Sequence, residues 1–360
     1  MRVISPLLKH VVYPGLSRSG YLRRSARGGP AVVTYHGILP PGYEVRDPAL
    51  DGHLVTAAAF TAQIRLLKSK YNVISPEEFL QWREGELRLS PRAVLLTCDD
   101  GLLNTLTDML PLVQEFRAPF LFFVTGSSLA KMSSMLWYEQ VFLWLLAARQ
   151  KVSFAAHWGA CNAQGQEQKR ALWWEMIRKL SAFDAGARNQ ILEDMRTQLG
   201  ISVDIESEYS QNQANRRRFF MLNVAELRQL ADAGMTIGAH TLSHPMLSQM
   251  PEDVALQEMS QSRAQLQATL GKPVWALAYP FGNADAVSAR EPELAKRAGF
   301  RCAFMNVEDA NRNSNEDAWL AFPRIHVSST TTPAELEAHV SGFYRTVREK
   351  YLHSDVGVSA

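Results

Sequence analysis

Ala93-Val94-Leu95-Leu96-Thr97-Cys98-Asp99-Asp100-Gly101 is the stretch on which the reading of this chain turns. Ala93 to Thr97 is a continuous apolar run closed by a threonine. Such a run lacks the alternation of a half-buried strand and suits one covered by helices on both faces of a parallel sheet. Ligands of parallel α/β folds bind where strands end, so two carboxylates at this end fall where chemistry is done. Neighbouring side chains on a strand point to opposite faces, but Gly101 lets the backbone turn so that both reach the mouth. An isolated Asp-Asp-Gly would equally serve as the cap of a following helix.

Outward from this strand the chain alternates. Ala31 to His36 is a β-branched run ending in Gly37 and a Pro40-Pro41 loop, and Thr56 to Lys68 has helical spacing behind a capping Thr56. Tyr71 to Ile74 reads as a short strand. Ser75-Pro76-Glu77-Glu78 opens a helix with a serine cap, a proline and acids in the first turn. A helix through Leu110 and Val113 and a strand from Pro119 to Val124 follow. From about 128 to 217 the rhythm stops in a helical stretch rich in Trp, Gln, Arg and Lys, with Trp137, Trp144, Trp158, Trp173 and Trp174. These tryptophans read as core packing, with stacking on sugar rings as the alternative. The alternation resumes with a helix at Asn223 to Ala233, a strand at Met235 to Ala239 and a helix at Pro251 to Leu270. A strand at Trp275 to Tyr279, a helix at Ala284 to Ala298 and a strand at Cys302 to Asn306 come next. The last helix spans Pro333 to Tyr351. About seven βα units interrupted once predict an α/β barrel. Its parts are a basic arm (1–30), a first barrel segment (31–127), a helical insertion (128–220), a second barrel segment (221–349) and a tail (350–360).

The 360 residues are 46% hydrophobic and 21% charged, the balance of a globular chain with a sizeable core. No apolar run approaches the ~20 residues of a membrane span. The net charge is +2, yet residues 1–30 hold six Lys or Arg and no acid, which leaves the remainder at −4. A mildly acidic body argues against nucleic acid as partner. The arm reads as a solvated extension, with peripheral contact to anionic membrane or a lipid-linked glycan as the other reading. It lacks the pattern of a signal peptide. Cys98, Cys161 and Cys302 are too sparse for a disulfide framework and form no Cys-x-x-Cys pair. The expected compartment is the cytoplasm, with the membrane surface as the other possibility.

Five strand ends carry polar or titratable groups: His36; Asp99 with Asp100; His240 with His244; Tyr279 to Gly282; and Arg324 with His326. Two imidazoles four residues apart lie on one face of a helical turn, a spacing suited to a single metal ion. With one carboxylate they make three ligands and leave a position open for water, the layout of catalytic sites. The turn Tyr279-Pro280-Phe281-Gly282 can present a backbone N–H to an oxyanion. His36 and His326, taken singly, suit structural or catalytic roles.

Thr97-Cys98-Asp99-Asp100-Gly101 resembles the Thr-Phe-Asp-Asp-Gly signature of the polysaccharide deacetylases, the NodB-homology carbohydrate esterases. His240-Thr241-Leu242-Ser243-His244 is similar to that family's His-[Ser/Thr]-x-x-His motif, and Tyr279-Pro280-Phe281-Gly282 to its third, proline-containing motif. The likeness covers roughly 31–127 and 221–330. It implies a distorted barrel of seven βα units, Asp99 as general base, and Asp100, His240 and His244 as ligands of a divalent metal, most often zinc, with cobalt or nickel as substitutes. It implies Tyr279 as the backbone donor to the oxyanion, and an N-acetylated carbohydrate as substrate. Cys98 replaces the usual Phe, and Ala278 stands where many members carry an arginine paired with the catalytic Asp; Arg324 is the expected replacement. The general acid is a late His in many members, which His326 matches. Tyr35-His36 resembles the subgroup that deacetylates exported poly-N-acetylglucosamine, and His36 is the preferred acid. Two other readings fit the same residues: an amidase or deformylase acting on a lipid-linked or small N-acyl sugar, and an inactive carbohydrate-binding barrel.

Overall fold

The computed structural model describes residues 4–25, 29–130, 133–148, 151–202, 204–308 and 319–346. Eight strands make one parallel sheet: β1 (Ala31–Tyr35), β2 (Asn72–Ile74), β3 (Ala93–Cys98), β4 (Leu121–Val124), β7 (Thr236–Ala239), β8 (Ala276–Ala278), β9 (Cys302–Phe304) and β10 (Ile325–His326). Between β4 and β7 lie β5 (Lys151–Ala156) and β6 (Gly159–Gln164), an antiparallel pair apart from that sheet. The order is β10-β1-β3-β4-β7-β8-β9, with β2 alongside β3. Every residue of β3 is buried, as its apolar run requires. The sheet curls far enough for its two ends to be joined. Phe322 bridges Phe304 at the β9 end, and three residues later Ile325 and His326 pair with Val33 and Thr34 of β1.

The helices form where their start signals stand. Thr56 accepts the Ala59 N–H at the head of the helix Ala57–Lys70. Ser75 and Glu78 form a reciprocal capping box on Pro76–Arg83. The helix expected from Ala284 begins at Arg290, because the side-chain Oδ1 of Asn283 accepts the N–H groups of Asp285 and Ala286 and holds that segment as a turn. The helix expected from Pro333 ends at Val340, and a short helical segment follows at 343–346; residues 347–360, including the expected tail, lie outside the described residues.

Two expectations are corrected. The insertion is not wholly helical: β5 and β6 pair in full register, their alternating burial covering one face against the helices Gly165–Leu180 and Ala185–Gln198. The arm is not simply solvated. Its helical residues 4–25 lie along the helix Pro333–Val340 and bury Tyr13 and Leu22 against Ala338. Ser17 and Lys70 both bind the carboxylate of buried Glu337, and Lys9 pairs with Glu335 at 2.9 Å.

Candidate active site

At the end of β3 the backbone turns through two successive left-handed residues, Asp100 (φ 72°) and Gly101 (φ 73°). A Cβ on Gly101 would lie 2.9 Å from Val124 Cγ1, so glycine is needed for both conformation and space. The turn directs Asp99 and Asp100 into one cavity of about 420 Å³, together with His36, His240, His244 and His326.

Asp99 is held by Arg324. The guanidinium donates through Nη1 to Oδ1 at 2.7 Å and through Nη2 to Oδ2 at 2.5 Å, while its Nε donates to the Met305 carbonyl. Both side chains are buried. Burial alone raises the Asp99 pKa, but Arg324 first, then His240 and His36, outweigh it and hold the carboxyl below its ordinary value. Asp99 therefore stays ionised at neutral pH, able to accept a proton on the second lone pair of either oxygen.

Asp100, His240 and His244 converge. Each histidine Nε2 lies 3.4 Å from Asp100 Oδ1. His240 Nδ1 donates to the Ala278 carbonyl at 2.8 Å, so in the neutral ring Nε2 carries a lone pair that faces a carboxylate oxygen. Asp100 Oδ2 and His244 Nδ1 are buried without a partner. A carboxylate and two imidazoles that face one another in a buried cluster suit a cation. Tetrahedral bonds of ~2.0–2.1 Å put neighbouring ligand atoms about 3.3–3.4 Å apart, which matches the separation of each imidazole from Asp100 here, and all three ligand atoms lie within 4.8 Å of one another. The triad fits a divalent metal.

The spacing of the two histidines does not come from a helical turn. Residues 240–246 form an irregular loop in which Thr241 (φ 61°) and His244 (φ 55°) take left-handed conformations. Such strain costs on the order of 1 kcal/mol per residue and persists where surroundings enforce it. Here they do. Glu258, buried on the helix Glu252–Leu270, accepts the N–H groups of Leu242 and Ser243 and the Ser243 hydroxyl. From the insertion, Trp137 Nε1 donates to the His244 carbonyl at 3.1 Å, and buried Arg188 donates to the Ser243 carbonyl. Motif spacing carries no signal for these three supports, because each lies far from residues 240–244 in the chain.

The oxyanion donor is also corrected. The Tyr279 N–H donates to the Phe304 carbonyl at 3.0 Å as part of the pairing between β8 and β9, so it is not free for a substrate. Its side chain is buried and its hydroxyl donates to the Leu320 carbonyl. Two residues on, Phe281 (φ 60°) turns away from the sheet; no acceptor for its N–H is found among the described residues. Its ring packs 5.0 Å from that of His244.

His36, just past β1, and His326, on β10, come together with ring centroids 5.0 Å apart. A third ring, His53, lies 5.4 Å from His36. Burial lowers the pKa of His36, and that of His53 further. His53 sits in a loop with no motif around it. Tyr138, from the first helix of the insertion, also lines the cavity, its ring 5.0 Å from His244.

Residues 205–303 match the sequence model of the family described as polysaccharide deacetylase, a segment that includes His240, His244 and the Pro280 turn. That segment carries a likeness to the polysaccharide deacetylases. Members of that family are hydrolases of carbon–nitrogen amide bonds. IcaB from Ammonifex degensii is similar in structure, with TM-score 0.54 and 17% identity over 88% of this chain and 98% of that one. A Streptococcus pyogenes deacetylase, PplD, solved with acetate, aligns with TM-score 0.53 and 18% identity over 86% of this chain and 97% of its own. A de-N-acetylase from Aggregatibacter actinomycetemcomitans gives 0.52 and 14% over 86% and 98%. At these identities the likeness is one of fold. No curated protein matches by sequence.

Proposed function

We propose that this protein removes N-acetyl groups from an amino sugar carried in a glycan. The observation that supports the reading best is the cavity in which an ionised, arginine-bound Asp99 stands beside the Asp100, His240 and His244 triad. Asp100, His240 and His244 would hold a divalent cation, zinc suiting two imidazoles and one carboxylate, and that cation would supply Lewis acidity toward water and the amide carbonyl.

The remaining steps belong to the chain. Asp99 accepts a proton from the attacking water as its oxygen bonds to the acetamide carbon. The carbonyl electron pair moves onto oxygen, and the Phe281 N–H donates to it; one such donor is worth about 3–4 kcal/mol of barrier. His36, with His326 beside it, is the group placed to donate a proton to the nitrogen as the carbon–nitrogen bond breaks, and the burial that lowers its pKa makes its protonated ring the stronger acid. The products are acetate and a free amine. The test is acetate release from nucleotide-linked, lipid-linked and oligomeric N-acetylated sugars by protein stripped with a chelator and reloaded with zinc or cobalt. Metal-dependent release that is lost in Asp99→Asn, with metal content retained, is the expected outcome. Release that survives in Asp99→Asn removes Asp99 as base.

The arm bears on where the substrate is met. Among the described residues, Leu7 (56%), Val11 (60%) and Tyr21 (50%) are three of the five large hydrophobic side chains left exposed. They share the arm with exposed Arg18, Arg23 and Arg24, and no acid lies in residues 1–30. Apolar side chains among cations suit the surface of an anionic membrane. Lys9 meets Glu335 in the first turn of the helix that follows β10, which puts the start of the arm toward the mouth of the barrel. Phosphatidylglycerol vesicles should sediment the protein at low salt and phosphatidylcholine vesicles should not. Leu7→Glu with Val11→Glu should abolish sedimentation; unchanged sedimentation would end this reading.

A further inference from the structure

Trp174 is the fourth member of that exposed set, at 43%, and unlike the arm residues it lines the catalytic cavity. It lies on the helix Gly165–Leu180 of the insertion. Its neighbour Trp173 is buried, with Nε1 donating to the Tyr138 carbonyl at 2.6 Å, and so anchors the helix to the residue that packs beside His244. One turn on, Arg178 is exposed, lines the same cavity and has no hydrogen-bonding or ionic partner among the described residues. Residues four apart share a helix face, so an indole plane and a guanidinium fork stand together at one wall. The other tryptophans of that helix and of Trp137–Ala147 are buried in packing.

We infer that Trp174 and Arg178 form a glycan subsite that holds a sugar unit next to the one deacetylated, so that the substrate is a chain of at least two sugars. The inference rests on the deacetylase reading of the adjoining residues. The catalytic groups come from strand ends, whereas this wall comes from the insertion, so a single sugar at Asp99 and Asp100 does not by itself require it. The face of a pyranose is lined by C–H groups and stacks on an indole, which removes apolar surface of both from water. Hydroxyls at the sugar rim meet the five N–H donors of Arg178. The metal and the proton-transfer groups play no part in this contact, so it affects binding of longer substrates and not the chemical step.

The probes are N-acetylglucosamine oligomers of one to five units, assayed for acetate release by metal-loaded protein, and glucosamine oligomers of the same lengths, assayed by calorimetry. The wild type should gain in kcat/KM from one unit to two or more. Trp174→Ala should raise KM for the oligomers about tenfold, the equivalent of one apolar contact, leave kcat and the single-sugar rate unchanged, and weaken binding of glucosamine oligomers to the same extent. Trp174→Phe should retain part of the effect and Arg178→Ala should lose part of it. Both positions are exposed, so unfolding midpoints should not move. Acetate release without any dependence on chain length or on Trp174 would overturn the subsite and leave the deacetylase reading standing. Trp174-dependent binding of glucosamine oligomers without acetate release from any N-acetylated oligomer would overturn the deacetylase reading and leave the subsite standing.

Discussion

Arg324→Met tests the assignment of Asp99 most directly. Methionine preserves most of the apolar volume and removes both hydrogen bonds to the carboxylate. Asp99 then remains buried, with only more distant imidazoles to oppose the desolvation that raises its pKa. Removing one partner of a buried ion pair costs roughly 3–5 kcal/mol, a large part of the ~5–15 kcal/mol that holds a domain together. The pH dependence fixes the cause. In the wild type the Asp99 pKa is lowered, so its contribution is present above the unfolded carboxyl value of ~3.9 and is lost as pH falls through the folded value. In Arg324→Met the folded pKa rises above the unfolded one, and the sign inverts: the variant's deficit shrinks as pH falls toward 4. Urea unfolding at pH 4.5 and pH 7 reads both slopes. Asp99→Asn added to Arg324→Met should recover at least half the deficit at pH 7, since a neutral amide needs no cation. If the double variant is no more stable than Arg324→Met, the loss is one of packing, and the account of Asp99 as a carboxylate held ionised by Arg324 is wrong.

Three further outcomes follow from the same geometry. Asp100→Ala or His240→Ala should bind no zinc by elemental analysis; both should also lose the rise in unfolding midpoint that metal gives the wild type, about 2.7 kcal/mol at a hundredfold excess over Kd. Trp137→Phe removes the indole donor to the His244 carbonyl and should weaken zinc about tenfold in competition with a chelating dye; an unchanged affinity would mean that the insertion does not position the loop. Arg218→Met leaves Asp51 and Glu139, each 2.8 Å from that guanidinium, buried without their cation, at a cost of roughly 3–5 kcal/mol. Burial already pushes the Glu139 pKa up to about 7 against the pull of Arg218, so Glu139 should protonate in the variant and the deficit should be smaller at pH 5.5 than at pH 8 in urea titrations.

The parts legible beforehand were those whose cause is local. A run such as Ala93 to Cys98 has one low-energy use, a strand covered on both faces, and Gly101 marks where it must turn. The box of Ser75 with Glu78 and the cap at Thr56 act within four residues, and the helices start there. Asp100, His240 and His244 were identifiable because strand ends in a parallel sheet share one rim, whatever the loops between them do.

What stayed hidden depends on partners distant in sequence. Tyr279 and Phe281 are both plausible donors in a four-residue turn; the Phe304 carbonyl of β9 takes the first and leaves the second. β5 and β6 alternate apolar and polar residues, but one face is covered only after two helices of the insertion pack on it. The arm's six basic residues suggest solvation until Tyr13 and Leu22 are seen against Ala338. His53, Glu258 and Arg188 carry no motif, because their roles arise from what the fold sets beside them. From sequence alone came the parallel barrel and the residues at its mouth, since period and strand-end position are properties of a short segment. Which N–H is free, which tryptophan is bare and what holds the histidine loop in its strained shape were decided by the tertiary structure, because a hydrogen bond or a buried surface belongs to both of the segments that make it.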